Sequence, residues 1–294
     1  RFLQACWVLI AFVACPLSSG QVQRSRERIL SFDSSVTVNA DSTMDVQETI
    51  VVHANRSQIR HGILRDFPTR YPDPNGTVHV VGFDVRRVTR DGEPERFSVA
   101  PYQNGKRVKI GRPDLDLTAG DYTYVIRYRT DHQLGFFTDH DELYWNATGF
   151  WPFDIDKATG HISLPSGIPA GKLRLAGYTG PQGAKGTAWT GKVTKAGVVE
   201  FSTTSPLRSN EGMTIVVGWP KGFVTKPTPL VEPVRGITIP FEFGPGWWKP
   251  KVLSDTGGQM MTWAALLLLA MFFSAWTVIG RDLQGGSIQV VYDP

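Results

Sequence analysis

The sequence predicts an all-β protein, with a β-sandwich exterior domain followed by a Pro-rich stalk and a single transmembrane α-helix. Three observations carry that prediction. Two apolar segments bracket the chain, one over residues 2–14 and one over residues 260–279. Nearly a dozen short strand-like segments lie between them, punctuated by glycine and proline. No convincing run of apolar residues in that interval follows the 3.6-residue spacing of an amphipathic helix.

Residues 1–20 read as a signal peptide. Gln4 is the only strongly polar residue of the first apolar segment, which has the length of a signal hydrophobic region and is short for a span. No methionine precedes Arg1, so the chain is expected to start inside its precursor. Small and polar residues follow at Pro16, Leu17, Ser18, Ser19 and Gly20, where a signal peptidase can cut. Lipid attachment at Cys15 is the alternative, although Phe12 stands where leucine is usual and Pro16 follows directly. An uncleaved anchor would place the domain on the same side.

The exterior domain is assigned to residues 26–222, with a split near 165–171 as the alternative. Residues 28–53 read as two strands. In the second, Met44, Val46, Ile50 and Val52 alternate with Asp45, Gln47, Thr49 and Val51. Glu48 falls on the apolar side of that alternation. A lone buried carboxylate is very costly, so it needs a cationic partner or an edge, and Arg60 and Arg65 are the candidates. Strands follow at about 78–89, 95–102 and 106–111, with Asp91–Gly92 and Asn104–Gly105 as hairpin turns. The clearest strand is 121–129, where Tyr122, Tyr124, Ile126 and Tyr128 share one face. Further strands are expected near 143–147, 160–164, 172–178, 187–194, 197–203 and 212–219.

Residues 223–256 contain Pro227, Pro229, Pro233, Pro240, Pro245 and Pro250, a density that favours an extended, stiff stalk. Residues 259–279 then read as the membrane helix. Its twenty uncharged residues from Met260 to Ile279 span roughly 30 Å at about 1.5 Å each, the thickness of a bilayer core. Trp247 and Trp248 before it and Trp276 near its far end lie at headgroup depth. Flanking charges do not set the orientation; the export signal does, leaving residues 280–294 as the start of a cytoplasmic region that is expected to continue.

Composition excludes several functions. The net charge of +4 comes from 31 basic and 27 acidic residues in a mixed pattern, without the basic stripe that nucleic acid requires. Both cysteines, Cys6 and Cys15, lie in the export segment. The domain itself therefore has no disulfide, cysteine-ligated zinc or cysteine nucleophile.

The remaining constellations each have a bland reading beside a chemical one. Residues 186–192 match the opening of a phosphate-binding loop, but Val193 replaces the magnesium-binding hydroxyl and strand-like flanks make a hairpin the better reading. The run Asp139, His140, Asp141 and Glu142 offers hard ligands for a metal, yet three acids on a loop are more simply a solvated loop. His61 and Asp66, in HGILRDFP at 61–68, could form an acid–base pair, although no nucleophile accompanies them. Tyr144, Trp145 and Trp151 flank Asn146 in ELYWNATGFW, as in a sugar-binding surface, unless the tryptophans fill the sandwich core. Burial of both tryptophans would exclude the sugar surface. Three matches to the N-glycosylation triplet begin at Asn55, Asn75 and Asn146, and are near chance frequency.

Four segments together resemble a known family: HGILRDFP at 61–68, IGRPD at 110–114, GDYTYVIRY at 120–128 and ELYWNATG at 142–149. They are similar to the bacterial predicted-membrane-protein family called domain of unknown function 2207. The resemblance covers nearly the whole chain and implies the same order of export signal, β-rich exterior domain and transmembrane helix. Fuller members usually carry more membrane segments. It implies a bacterial origin, which disfavours glycosylation, and supplies no catalytic residue.

The expectation is thus a bacterial plasma-membrane protein, anchored in the lipid bilayer through residues 259–279, with its main domain extracytoplasmic. Its domain is expected to bind a protein or envelope-polymer partner, without cofactor, metal or nucleic acid, and not to be an enzyme. The candidate binding residues are Tyr144, Trp145, Asn146, Trp151, His61 and Asp66. A cell-wall glycan module is the alternative, and a metal-dependent hydrolase using 139–142 with His61 or His79 is the third.

Overall fold

The computed structural model describes residues 26–72 and 77–233. The expected signal peptide, the membrane helix with its tryptophans Trp247, Trp248 and Trp276, and the segment after it lie outside the described residues, as does most of the stalk.

In chain order the strands are β1 (Arg28–Val38), β2 (Met44–Ala54), β3 (Gly62–Pro68), β4 (Arg70–Pro72), β5 (Thr77–Val80), β6 (Phe83–Arg90), β7 (Glu93–Pro94), β8 (Phe97–Tyr102) and β9 (Gly105–Gly111). They continue as β10 (Gly120–Thr130), β11 (Leu134–Phe136), β12 (His140–Asn146), β13 (Ala158–Ser163), β14 (Arg174–Gly180), β15 (Trp189–Val193), β16 (Val199–Thr203), β17 (Gly212–Pro220) and β18 (Val231–Pro233). The only helical element among the described residues is the short 3-10 turn Ala170–Lys172.

Eight strands form the principal sheet, in the order β15-β16-β13-β1-β2-β10-β6-β7. All its neighbours are antiparallel except β1 and β13, which run parallel. Strand β2 lies at its centre and alternates buried with half-buried residues along its whole length, as period-two patterning requires. A four-stranded sheet, β11-β12-β17-β14, and a three-stranded sheet, β3-β9-β8, face it. The first contact is sealed where Trp145 Nε1 of β12 donates to Ser34 Oγ of β1 at 3.1 Å. The second is sealed by Phe67 of β3 against Tyr128 of β10, with ring centroids 5.2 Å apart. A small sheet, β18-β5-β4, completes the fold. One apolar core joins both sides of the 165–171 segment, from Ile29 to Trp219.

The buried carboxylate of Glu48 is satisfied at the centre of the sheet and not at an edge. Its residue partner is Arg65, whose Nε and Nη2 reach the two carboxylate oxygens at 2.8 and 2.7 Å. Tyr128 OH donates to the same group at 2.8 Å. Arg60 instead pairs with Asp116. The guanidinium of Arg65 lies over Phe32, Phe67 and Trp151, about 6 Å from each ring centroid.

Two turns refine the expectations. Asp91 and Gly92, both at positive φ, close the β6–β7 hairpin as the sequence suggests. The β8–β9 loop is Gln103–Asn104, one residue earlier than expected, with Gln103 at positive φ. Gly105 is needed for another reason: a Cβ there would collide with the carbonyl of Phe67 across the β3–β9 pair. The stretch after 222, expected to leave as stalk, stays on the domain to Pro233. Thr225 N donates to the carbonyl of Ala40, Val80 N to that of Leu230, and Arg70 pairs with Glu232 at 2.7 Å.

Candidate functional site

Strand β12 sorts its side chains by parity. Asp141, Leu143 and Trp145 turn into the core, while His140, Glu142, Tyr144 and Asn146 turn outward. The acids at 139–142 are therefore not a solvated loop throughout. Asp141 is 1% exposed and bound to Lys221 Nζ at 2.6 Å, and Glu142 begins an outward-facing row. On neighbouring strands Val216, Ala176 and Tyr178 extend that outward face.

This face floors a cleft of about 470 Å³. Its walls are Arg65, Phe67 and Pro68 at the end of β3, Tyr71 and His79 from the small sheet, and His132 with Gln133 before β11. The size is that of a ligand pocket, and aromatic rings alternate with polar side chains along its lining. Tyr144 and Tyr178 lie 6.4 Å apart between ring centroids, tilted by 33°. Partial burial, and then the neighbouring Tyr178, raises the Tyr144 hydroxyl above its ordinary pKa. Tyr144 nonetheless remains 40% exposed.

Most charged groups around the cleft are already engaged. Arg65 is matched by Glu48. His132 Nδ1 meets Asp131 at 2.6 Å and its Nε2 meets the carbonyl of Thr228 at 2.9 Å. His140 stacks on Phe137 and places Nδ1 2.6 Å from Asp139, whose carboxyl is held below its ordinary range chiefly by that contact.

Of the candidate binding residues, the cleft brings together Tyr144, Asn146 and one edge of Trp145. Trp145 and Trp151 are 3% and 4% exposed, so the ring faces needed for sugar stacking are spent in the core. Trp151 also donates through Nε1 to the carbonyl of Thr148. That burial agrees with the core-filling reading of these tryptophans and removes the sugar-binding alternative. His61 and Asp66 do not form a pair. His61 Nδ1 lies 3.1 Å from Asp116, and Asp66 binds Arg107 on the adjacent strand. No group of three or more His, Cys, Asp and Glu side chains among the described residues could hold a metal ion. The phosphate-loop look-alike is the start of the β15–β16 hairpin.

Glu142, Tyr71, Tyr178, His79 and His132 complete the cleft without having been singled out together in the sequence. His79 and Glu142 enter only the metal reading; continuing the alternation of 143–147 back to His140 also places Glu142 beside Tyr144 on the outward face.

The predicted membrane protein (DUF2207) N-terminal domain matches residues 28–219. The chain is 29% identical over 208 residues to the Escherichia coli (strain K12) protein named "Uncharacterized protein YciQ". That alignment covers 70% of this chain and 32% of the relative, so the chain spans about a third of that relative's length. Among solved structures, native leukotriene A4 hydrolase from Saccharomyces cerevisiae has a TM-score of 0.41 at 14% identity, covering 65% of this chain and 29% of that one. An M1 zinc metallopeptidase from Deinococcus radiodurans has a TM-score of 0.37 at 14% identity, covering 65% and 42%. Likeness of that degree carries no inference about activity.

Proposed function

The chain belongs to the DUF2207 family of predicted membrane proteins, and from that premise we propose a bacterial envelope protein whose exterior β domain is an interaction module and not an enzyme. Residues 259–279 anchor it in the plasma membrane, and the domain engages a protein partner outside the cytoplasm. The observation that carries this reading is the aromatic cleft of about 470 Å³ over the outward face of β12, β17 and β14. Tyr144 is half-exposed there, on a rigid sheet whose other face is core. The groups that could perform acid–base chemistry elsewhere, His61 and Asp66, are held by separate partners and do not face one another.

Photo-crosslinking in living cells tests the reading. A photoreactive residue replaces Tyr144, and separately His61 as a position outside the cleft lining, in the full-length membrane protein. A discrete protein adduct from position 144 and none from 61 is expected. Absence of any protein adduct at 144 at normal expression contradicts the module. So does hydrolase activity of the purified protein that is lost in His61→Ala or Asp66→Asn.

A further inference from the structure

Within the cleft, Glu142 occupies an unusual position. Its register partners are Gly135 on β11 and Gly218 on β17, which carry no side chain; the Phe137 ring lies over Gly135, and His140 and Arg174 lie beside Gly218. Its only ion-pair contact among the described residues is His140 Nε2 at 3.7 Å, beyond hydrogen-bond reach. Other cations nearby are directed elsewhere: Arg65 to Glu48, Arg174 to Asp139 and Lys221 to Asp141. Two residues along β12, Tyr144 presents a ring beside that of Tyr178.

A carboxylate without a bonded cation, next to paired aromatic faces in a concave site, is the arrangement that recognises an organic cation. We propose that the cleft receives a lysine or arginine side chain from an extended segment of the partner protein, with Glu142 pairing its charge and Tyr144 and Tyr178 packing on its stem. This rests on the interaction reading above. Strand β11 is the outermost strand of its sheet and carries Gly135 beside Glu142. An extended segment can lie along that edge and drop alternate side chains into the cleft. Charge complementarity selects the cation, since the lining carboxylate of Glu142 has no hydrogen-bonded cation among the described residues, only His140 at 3.7 Å.

The test keeps the full-length protein in living cells and places the photoreactive residue at Tyr71, on the small sheet and not on the strand that carries Glu142. Adduct yield is measured by immunoblot and the crosslinked partner residue is mapped by mass spectrometry. In the otherwise unchanged protein the adduct should map within a few residues of a lysine or arginine. Glu142→Gln should lower its yield about five-fold, Glu142→Lys should abolish it, and Glu142→Asp should restore part of it. Membrane abundance and thermal unfolding of each variant are measured alongside, so that a folding defect is recognised, and Glu142→Asp then decides the matter. A protein adduct undiminished in Glu142→Gln and Glu142→Lys, or mapping away from any basic residue, overturns the cation site and leaves the interaction module standing. An adduct with lipid or glycan overturns the peptide as occupant. No adduct from either Tyr71 or Tyr144 overturns both proposals together.

Discussion

Arg65 and Glu48 each break the apolar alternation of their own strand. In β3 the buried positions are Ile63, Arg65 and Phe67, and in β2 Glu48 stands between Val46 and Ile50. The two irregularities cancel in space, since each is the other's partner. Burial alone would weaken the proton affinity of the Arg65 guanidinium; the Glu48 carboxylate beside it more than reverses that. Removing one member strands the other, so Glu48→Leu or Arg65→Met should each cost about 3–5 kcal/mol, whereas the double replacement should recover most of it. Urea unfolding of the purified protein in detergent measures this cycle. The pair also shows what the sequence could convey: the need for a cation at Glu48 was legible, and Arg65 was one of two candidates. Strand β3 itself was not legible, because an arginine at a core position disguised its period of two. Glu27 is another buried carboxylate, accepting from the backbone N–H groups of Asn55, Ser57, Gln58 and Ile59 at 2.7–3.1 Å. Burial would raise its pKa, and these four donors together hold it below the ordinary value of 4.5. Its contribution to stability is therefore complete above that value and is lost as pH falls through the lower folded-state pKa. Glu27→Gln should lower stability by about 2 kcal/mol at pH 7 and flatten the acid limb of a melting temperature against pH curve.

At the level of elements, the positions of most strands followed from alternation and turn chemistry. Strands β2 and β10 were the clearest: β2 alternates along its eleven residues, and β10 turns Tyr124, Ile126 and Tyr128 into the core. The short strands β4, β11 and β18 were not legible. Three residues provide no period, and their pairing is dictated by neighbours far along the chain. Hidden with them was most of the cleft, whose walls come from β3, the small sheet and the loop before β11. Gly105 shows the same gap between local signal and tertiary cause, marking a turn in sequence while serving close approach of β3 and β9. Gly105→Ala should push Phe67 away from Lys106 and cost about 2 kcal/mol, read as a lower urea midpoint with an unchanged slope. Asp91→Ala tests the turn that was legible and should cost about 2 kcal/mol, because it strains the left-handed conformation and removes the Oδ1 that accepts from Thr123 N–H at 2.8 Å.

For the whole molecule, one core links strands on both sides of 165–171, and the chain remains bonded to that body as far as Pro233. The cleft therefore sits on the same body as β18, whose Val231 pairs with the cleft residue His79. An exterior cleft that is open to a partner is the central claim, and cysteine accessibility tests it most directly. The described domain has no native cysteine, so Tyr144→Cys places a single thiol in the cleft. Full-length protein in intact cells is treated with a membrane-impermeant maleimide, with a lysed sample as the measure of complete labelling. The account predicts clear labelling in intact cells, lower than after lysis only by the share of clefts that a partner occupies. Labelling only after lysis would contradict it.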